Sequence, residues 1–372
     1  MISFIKKIFN YILVRNIKIQ NYLYYFQEIY FSKKFLKNSK KKNLIAFYDL
    51  KANGVSVGDF IFFCFYLKYF QIKGKFIDLR IIYKRNDIHK DQKKLSYALV
   101  ENFYLKMKNQ FAQKILNKNK LKVSTLKWSK NNFAKIDYEK NFIIFKRFAL
   151  KRREFKGYIH YIQNHFYKRE DNKFFNKYKI KPNLFRKDAS KFCKSFAKKK
   201  YISLAVRYSK YWGYQRNLKS EELIGFVDTI FKKKGKINIL IISDKLGCMM
   251  AKKIYRENKI FFKKKCNLYF CKDFSKNIID DSFLIMNSKC AFSVPSSGGI
   301  VCWLWYSNVP FLLAFFTSNI LWFKYNVSKI YQSTSDSSYM FPFWNRKKKQ
   351  MWVNSPNFSD FIKKLENFTF KF

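Results

Sequence analysis

The octapeptide Ser293-Val-Pro-Ser-Ser-Gly-Gly-Ile300 decides how this chain folds, because of where it lies. It interrupts the stretch from Lys289 to Lys324, within which no charged residue occurs. An uninterrupted apolar run of about eighteen residues reads as a membrane span. Here Pro295, Ser296, Ser297, Gly298 and Gly299 break the run early, and Ser307, Asn308 and Pro310 break it again. Three short pieces remain. Residues 291–294 suit a buried strand, 300–306 a helix of about two turns, and 309–315 a second buried strand. Strand, small-residue turn, helix and strand make a βαβ unit, whose parallel strands are apolar on both faces because both are covered. Such a turn leaves backbone N–H groups free at a helix start, a ready site for phosphate. A tight turn without a ligand is the plainer reading of the same residues.

The same alternation recurs upstream. Residues 201–206 read as a strand that delivers Arg207 at its carboxyl end, followed by a polar aromatic loop with Lys210, Trp212 and Arg216. Ser220 is the expected N-cap of a helix running to about Phe231 and stopped by Gly235. Residues 237–242 form the next strand, ending in Ser243-Asp244-Lys245; helices at 247–257 and 278–288 flank a short strand at 267–270. Strands alternating with helices over this length predict a parallel α/β sheet.

An earlier unit has the same form. Residues 43–48 are a strand, 49–57 a loop with Gly54, Gly58-Asp59 the head of an apolar helix over 60–70, and 76–83 the next strand. The full G-x-G-x-x-G spacing is missing, so this is no dinucleotide fingerprint. Asp59 stands beside the carboxyl end of the first strand, where open α/β sheets build their sites. It reads either as a catalytic carboxylate or as a helix cap. Residues 90–120 read as a solvated helical stretch, 142–148 as a strand and 168–200 as a connection containing some helix.

A length of 372 residues suits two domains of ordinary size, and 48% hydrophobic residues can fill both cores. The expected division is a basic amphipathic N-terminal segment over 1–42, a Rossmann-like domain over 43–195, a second over 196–345, and a basic, helical tail over 346–372. The fold class is therefore α/β, two doubly wound domains behind an amphipathic helix. That helix, 1–18, either lies on an anionic membrane surface or packs on the protein's own core; it is too interrupted to span a bilayer and has no signal-peptide cleavage site.

The formal charge of +53 does not point to nucleic acid. Only 12 of the 77 basic residues are Arg, and Lys, Asn, Ile, Phe and Tyr are abundant together, the set an AT-rich genome writes by codon supply. The lysines are spread along the chain instead of forming one stripe, so the expectation is a generally positive surface with no specific nucleic-acid partner. Seven cysteines show no metal-ligand spacing and three histidines leave few candidates for a His-based triad. These features predict a reducing, cytoplasmic setting and no metal centre.

With these residues in place, the chain resembles GT-B-type bacterial glycosyltransferases. Val57-Gly58-Asp59 resembles the start of heptosyltransferases, in which the Asp is the proposed base. Residues 291–313 resemble their donor loop, with Ser297-Gly298 in the place of Thr-Gly, Ser296 in that of an Asp and Val301 in that of a His. Ala205-Val206-Arg207, Arg216-Asn217 and Ser243-Asp244 resemble the donor domain of fucosyltransferase-like enzymes and of glycosyltransferases from surface-polysaccharide clusters. The resemblance implies a nucleotide-sugar donor as co-substrate, with no further cofactor. It implies a glycan or lipid-linked acceptor and a cytoplasmic location, peripheral to the inner membrane. Asp59 would be the base, with Gly54 and Gly58 in the acceptor-side loop. Arg207, Arg216, Lys245 and the turn Ser296, Ser297, Gly298, Gly299 would hold the diphosphate. No Asp-x-Asp stands at a strand end of the second domain, so transfer without a metal is expected. Other readings of the scaffold are a pyruvyl or phosphoryl transferase, or a non-enzymatic basic protein binding nucleic acid or membrane.

Overall fold

The computed structural model describes residues 43–49, 57–72, 74–83, 108–127, 142–146, 179–208, 217–294, 299–316, 350–355 and 357–372. The N-terminal segment 1–42, with its expected amphipathic helix, lies outside them. The chain divides into two compact units, one holding a four-stranded sheet and the other a six-stranded sheet. Among the described residues every strand pairing in both sheets is parallel.

The first sheet has the order β3-β2-β1-β4, with β1 over Asn43–Asp49, β2 over Phe76–Tyr83, β3 over Leu121–Lys127 and β4 over Phe142–Lys146. The central strand β1 is apolar throughout its middle, and Leu44 to Tyr48 are all buried. Between β1 and β2 runs α1, Val57–Ile72. Its apolar residues do not keep to one stripe, and Phe60, Ile61, Phe63, Cys64, Phe65, Leu67 and Phe70 are all buried, as expected of a helix covered on more than one side. The ring of Phe63 lies 5.6 Å from that of Tyr48 on β1. Gln71 closes the helix by a satisfied buried amide: it donates to the carbonyls of Asn117 and Lys120 and accepts from Asn117 N–H at 2.7 Å. Gly74 then turns the chain at φ +89°, a region that L side chains avoid. The helical residues 108–115 lead into β3, an edge strand.

The second sheet has the order β10-β9-β8-β5-β6-β7. Its strands are β5 Ile202–Ala205, β6 Ile237–Ile242, β7 Cys266–Phe270, β8 Ala291–Ser293, β9 Phe311–Phe316 and β10 Gln350–Ser355. Counted from β5, the spatial order is 3-2-1-4-5-6, the order of a dinucleotide-binding doubly wound sheet. The chain leaves β5 in one direction to build β6 and β7, then returns to lay β8 on the other side of β5. The place of that reversal, between β5 and β8, opens a crevice at the carboxyl ends of the strands.

The helices follow from their residues. After α2, Lys191–Phe196, come α3, Ser220–Lys234, and α4, Lys245–Glu257. Next are α5, Lys259–Lys265, α6, Ile278–Asn287, and α7, Phe358–Asn367. Alternation along β8 puts Phe292 on the face of α3, where its ring packs 5.2 Å from Phe226 and 5.4 Å from Phe370. Ala291 and Ser293 therefore lie on the opposite face. Gly225 on α3 lets α7 approach; a Cβ there would stand 2.7 Å from the Phe358 ring. Residues 179–200 pack on the same unit. Ser190 N–H and Lys276 N–H each donate to one oxygen of the fully buried Asp280 carboxylate, at 2.7 and 2.8 Å, and Phe196 stacks on Phe274 at 4.6 Å.

The expected short helix after β8 is a 3-10 helix over Gly299–Tyr306. One local expectation changes. Lys219, not Ser220, is the N-cap of α3, and the Glu222 carboxylate accepts from Lys219 N–H at 2.9 Å. Glu222 is only 4% exposed, and burial outweighs this bond and pushes its pKa up to about 7. An acid whose folded pKa is raised contributes stability below its ordinary value near 4.5, and loses it as pH rises toward 7. Glu222→Gln keeps the acceptor and removes the charge. It is expected to raise stability by about 1–3 kcal/mol at pH 8 and to leave it nearly unchanged at pH 4. Urea midpoints at the two pH values test this, and equal shifts at both would contradict it.

Candidate functional site

The carboxyl edge of the second sheet holds Arg207, Lys245 and Gly299 among the residues the sequence singles out. Beyond β5 the chain continues through Val206, whose N–H donates to the Ile242 carbonyl at 3.0 Å, to Arg207. Arg207 is half-buried, and its carbonyl accepts from Leu218 N–H at 3.1 Å, closing the loop that follows β5. Burial pulls the Arg207 guanidinium below its ordinary pKa, while the nearby Asp244 carboxylate acts in the opposite direction. A cation partly stripped of water at a strand end is a good partner for an anionic ligand.

Beside it, the end of β6 is tied to the end of β5. The Ser243 hydroxyl donates to the Val206 carbonyl at 2.9 Å. The first turn of α4 presses on that hydroxyl through Gly247, where an added Cβ would stand 1.9 Å from Ser243 Oγ. Any side chain at 247 would break the tie. Asp244 is the N-cap of α4, and its carboxylate accepts from Gly247 N–H at 2.7 Å. The Ser243-Asp244 pair thus shapes the edge. Lys245 is the first residue of α4 and is exposed.

On the other side of the crevice stands the end of β8. Ser293 is in register with Ala205 of β5 and Leu313 of β9. It is fully buried, and among the described residues its hydroxyl has no hydrogen-bond partner. A buried hydroxyl without a partner costs about 1–3 kcal/mol, so an orphan at the switch point calls for an explanation. Sequence reading passed over Ser293, because a serine in an apolar strand carries no motif; only the register shows that it ends the strand facing Arg207's strand across the reversal.

Gly299 opens the 3-10 helix after this strand. Ser296, Ser297, Gly298 and Arg216 lie outside the described residues, as do Lys210 and Trp212. In the first unit, Asp49 is the last residue of β1, the central strand. Gly58 and Asp59 are the second and third residues of α1, in the start of that helix that groups with the second unit. The helix begins before Asp59, so the acid sits within the first turn instead of preceding it as a cap. Gly54 lies outside the described residues. Among the described residues, no three His, Cys, Asp or Glu side chains stand close enough to hold a metal ion, and no helix is long and apolar enough to cross a membrane.

No protein-family model matches the chain, and no curated protein matches it. Solved structures do. A glycosyl transferase family 9 protein from Veillonella parvula is 13% identical at a TM-score of 0.45, over 88% of this chain and 92% of its own. A glycosyltransferase from Rickettsia africae is 11% identical at a TM-score of 0.32, over 88% of each chain. The UDP-GlcNAc 2-epimerase from Methanocaldococcus jannaschii is 14% identical at a TM-score of 0.30, over 93% of this chain and 76% of its own. The solved structures this chain is similar to thus include two glycosyltransferases and an epimerase.

Proposed function

We propose that the chain is a GT-B-type glycosyltransferase that moves a sugar from a nucleotide-sugar donor to a glycan or lipid-linked acceptor of a surface polysaccharide. One observation carries the donor half of this reading. The 3-2-1-4-5-6 order of the second sheet puts Arg207 at the end of β5 and Ser293, with the turn that follows it, at the end of β8. Those strands flank the point where doubly wound sheets bind phosphate-bearing ligands. Departure of a nucleoside diphosphate from a sugar needs positive charge and N–H donors at the diphosphate. Arg207, Arg216, Lys245 and the backbone of residues 296–299 are the groups assigned to that task, with the Ser293 hydroxyl beside them. The acceptor hydroxyl needs a base, assigned to Asp59 in the first turn of α1. Transfer proceeds without a metal ion in this reading.

The deciding experiment is a thermal-shift screen of the full chain against UDP-, GDP-, ADP- and CMP-linked sugars. A ligand that binds only the folded state adds about 2.7 kcal/mol at 100 times its Kd, which is a readily measured shift. Absence of a shift with every one of these donors overturns the reading.

Two further results are expected. Ser293→Ala removes a buried hydroxyl that has no partner among the described residues, so the ligand-free protein should be as stable as the parent or more so. The same change should weaken binding of the donor found in the screen by about tenfold, the loss of one hydrogen bond to a charged group. A stability loss with unchanged affinity would mean that the hydroxyl serves the fold. The enzyme is assigned to the cytoplasm, with the basic N-terminal segment held on the anionic inner-membrane surface. Deleting residues 1–18 should therefore release it from anionic vesicles and leave donor binding intact; an insoluble truncated chain would place that segment in the core.

A further inference from the structure

Beneath the Ser243 tie lie two cysteines that no sequence spacing links. Cys248 is in the first turn of α4, and Cys271 opens the 3-10 turn Cys271–Asp273 that follows β7. They are 23 residues apart, yet their sulfurs are 3.7 Å from each other and both side chains are buried. Both thiols reach the Ser243 carbonyl, Cys271 at 3.3 Å and Cys248 at 3.9 Å. The parallel pairing of β6 and β7 brings them together, since each lies just past the carboxyl end of one of these strands.

We propose that Cys248 and Cys271 form a reversible disulfide, a redox modification site set against the nucleotide edge of the second unit. Sulfurs at 3.7 Å close to the bonded distance of about 2.05 Å by a modest side-chain rotation, with α4 and the 271–273 turn already in contact. The two thiols are also unlike each other in acidity. Hydrogen bonding from Cys271 pulls the Cys248 thiol below its ordinary pKa against the effect of burial, with help from the Lys272 N–H and its charge. The Cys271 thiol is raised by its bond to Cys248 and by burial. Elsewhere burial, helped by the nearby Asp280 and Asp281 carboxylates, pushes Cys193 to about 11, and burial pushes Cys266 to about 12. Cys248 is thus the attacking sulfur and Cys271 the resolving one.

The oxidant is a hydroperoxide, small enough to reach a buried sulfur. The Cys248 thiolate attacks one peroxide oxygen, the O–O bond breaks, and hydroxide leaves to take up the proton Cys248 has lost. Cys271 then attacks the Cys248 sulfenic sulfur, the S–O bond breaks, and water leaves with the Cys271 proton. The sum is two thiols and one hydrogen peroxide giving one disulfide and two waters. Two thiols of a reductant reverse it.

The link forms whether or not a nucleotide binds, so this inference goes beyond the glycosyltransferase reading and fails separately from it. The test treats the reduced full chain with hydrogen peroxide, alkylates it in denaturant and maps the peptides by mass spectrometry. Five of the seven cysteines should be alkylated, and one linked pair should join 248 to 271 and disappear on treatment with dithiothreitol. In Cys271→Ser, Cys248 should be trapped by dimedone as the sulfenic acid. Seven alkylated thiols after peroxide, a link between other cysteines, or Cys248 carried to the sulfinic acid without a link would each overturn the proposal.

Discussion

Asp59→Asn is expected to lower the rate of sugar transfer by about 10²–10⁴-fold at saturating donor and acceptor, the usual worth of a general base. Donor affinity should change little, because the diphosphate-binding groups are assigned to the strand ends of the second sheet and not to α1. The size of the effect separates two roles. A carboxylate in the first turn of a helix interacts favourably with the helix dipole, and losing that charge costs about 0.3–1 kcal/mol. If Asp59 served α1 alone, its Asn variant would show a small loss of stability and an almost unchanged rate. If Asp59 is the base, the rate collapses while the denaturation midpoint hardly moves. The position favours a test at this residue. Phe60, Ile61 and Phe63 are buried immediately after Asp59, so the backbone of this first turn is fixed by packing. A variant that keeps a rate within a few-fold of the parent would remove Asp59 from the mechanism. Asp49, which ends the central strand β1, would be the next acid to replace.

The parts of the fold that could be read from the residues are those in which burial leaves a strong pattern. β1, β5, β6 and β9 are runs of apolar residues because each has a paired strand on both sides. Gly235 marks the end of α3, and it adopts φ +69° there. Of the four edge strands, β4 and β7 were legible and β3 and β10 were not. β3, Leu-Lys-Val-Ser-Thr-Leu-Lys, lies at an edge of its sheet and is only partly covered, so its lysines and hydroxyls merged with the charged stretch before it. β10 lies at the edge of the second sheet and follows a run of Lys, and it read as part of a tail. The helix α5, Lys-Ile-Phe-Phe-Lys-Lys-Lys, was hidden because its charges crowd one short segment. Within the candidate site, the places of Arg207 and Lys245 beside strand ends were legible, and strand ends are where doubly wound sheets act. The Ser293 orphan and the Cys248–Cys271 pair were not, since both depend on which strands become neighbours. Periodicity along one strand does not record that choice.

Arg207→Ala is expected to raise the Kd for the donor by about 10- to 100-fold, equivalent to roughly 1.5–3 kcal/mol for a hydrogen bond to a charged group. Arg207 is held near the switch point by the main chain, through Val206 N–H to Ile242 on one side and Leu218 N–H to its own carbonyl on the other. Its guanidinium is partly desolvated, with the Asp244 carboxylate as a nearby charge. Asp244 is engaged as the cap of α4, and a diphosphate entering the crevice would meet a guanidinium that burial has partly stripped of water. Removing the side chain leaves β5, β6 and the Ser243 tie in place, and the ligand-free variant should keep the parent's denaturation midpoint to within a few degrees. Arg207→Lys separates charge from geometry. Lys keeps the positive charge but not the planar fork that binds phosphate through two N–H groups, so its affinity should fall between those of the parent and the Ala variant. Calorimetry with the donor identified by the thermal-shift screen measures all three. Equal affinity of the parent and Arg207→Ala, with the fold intact, would take Arg207 out of the donor site and leave the β8 side of the crevice as the place to look for the diphosphate.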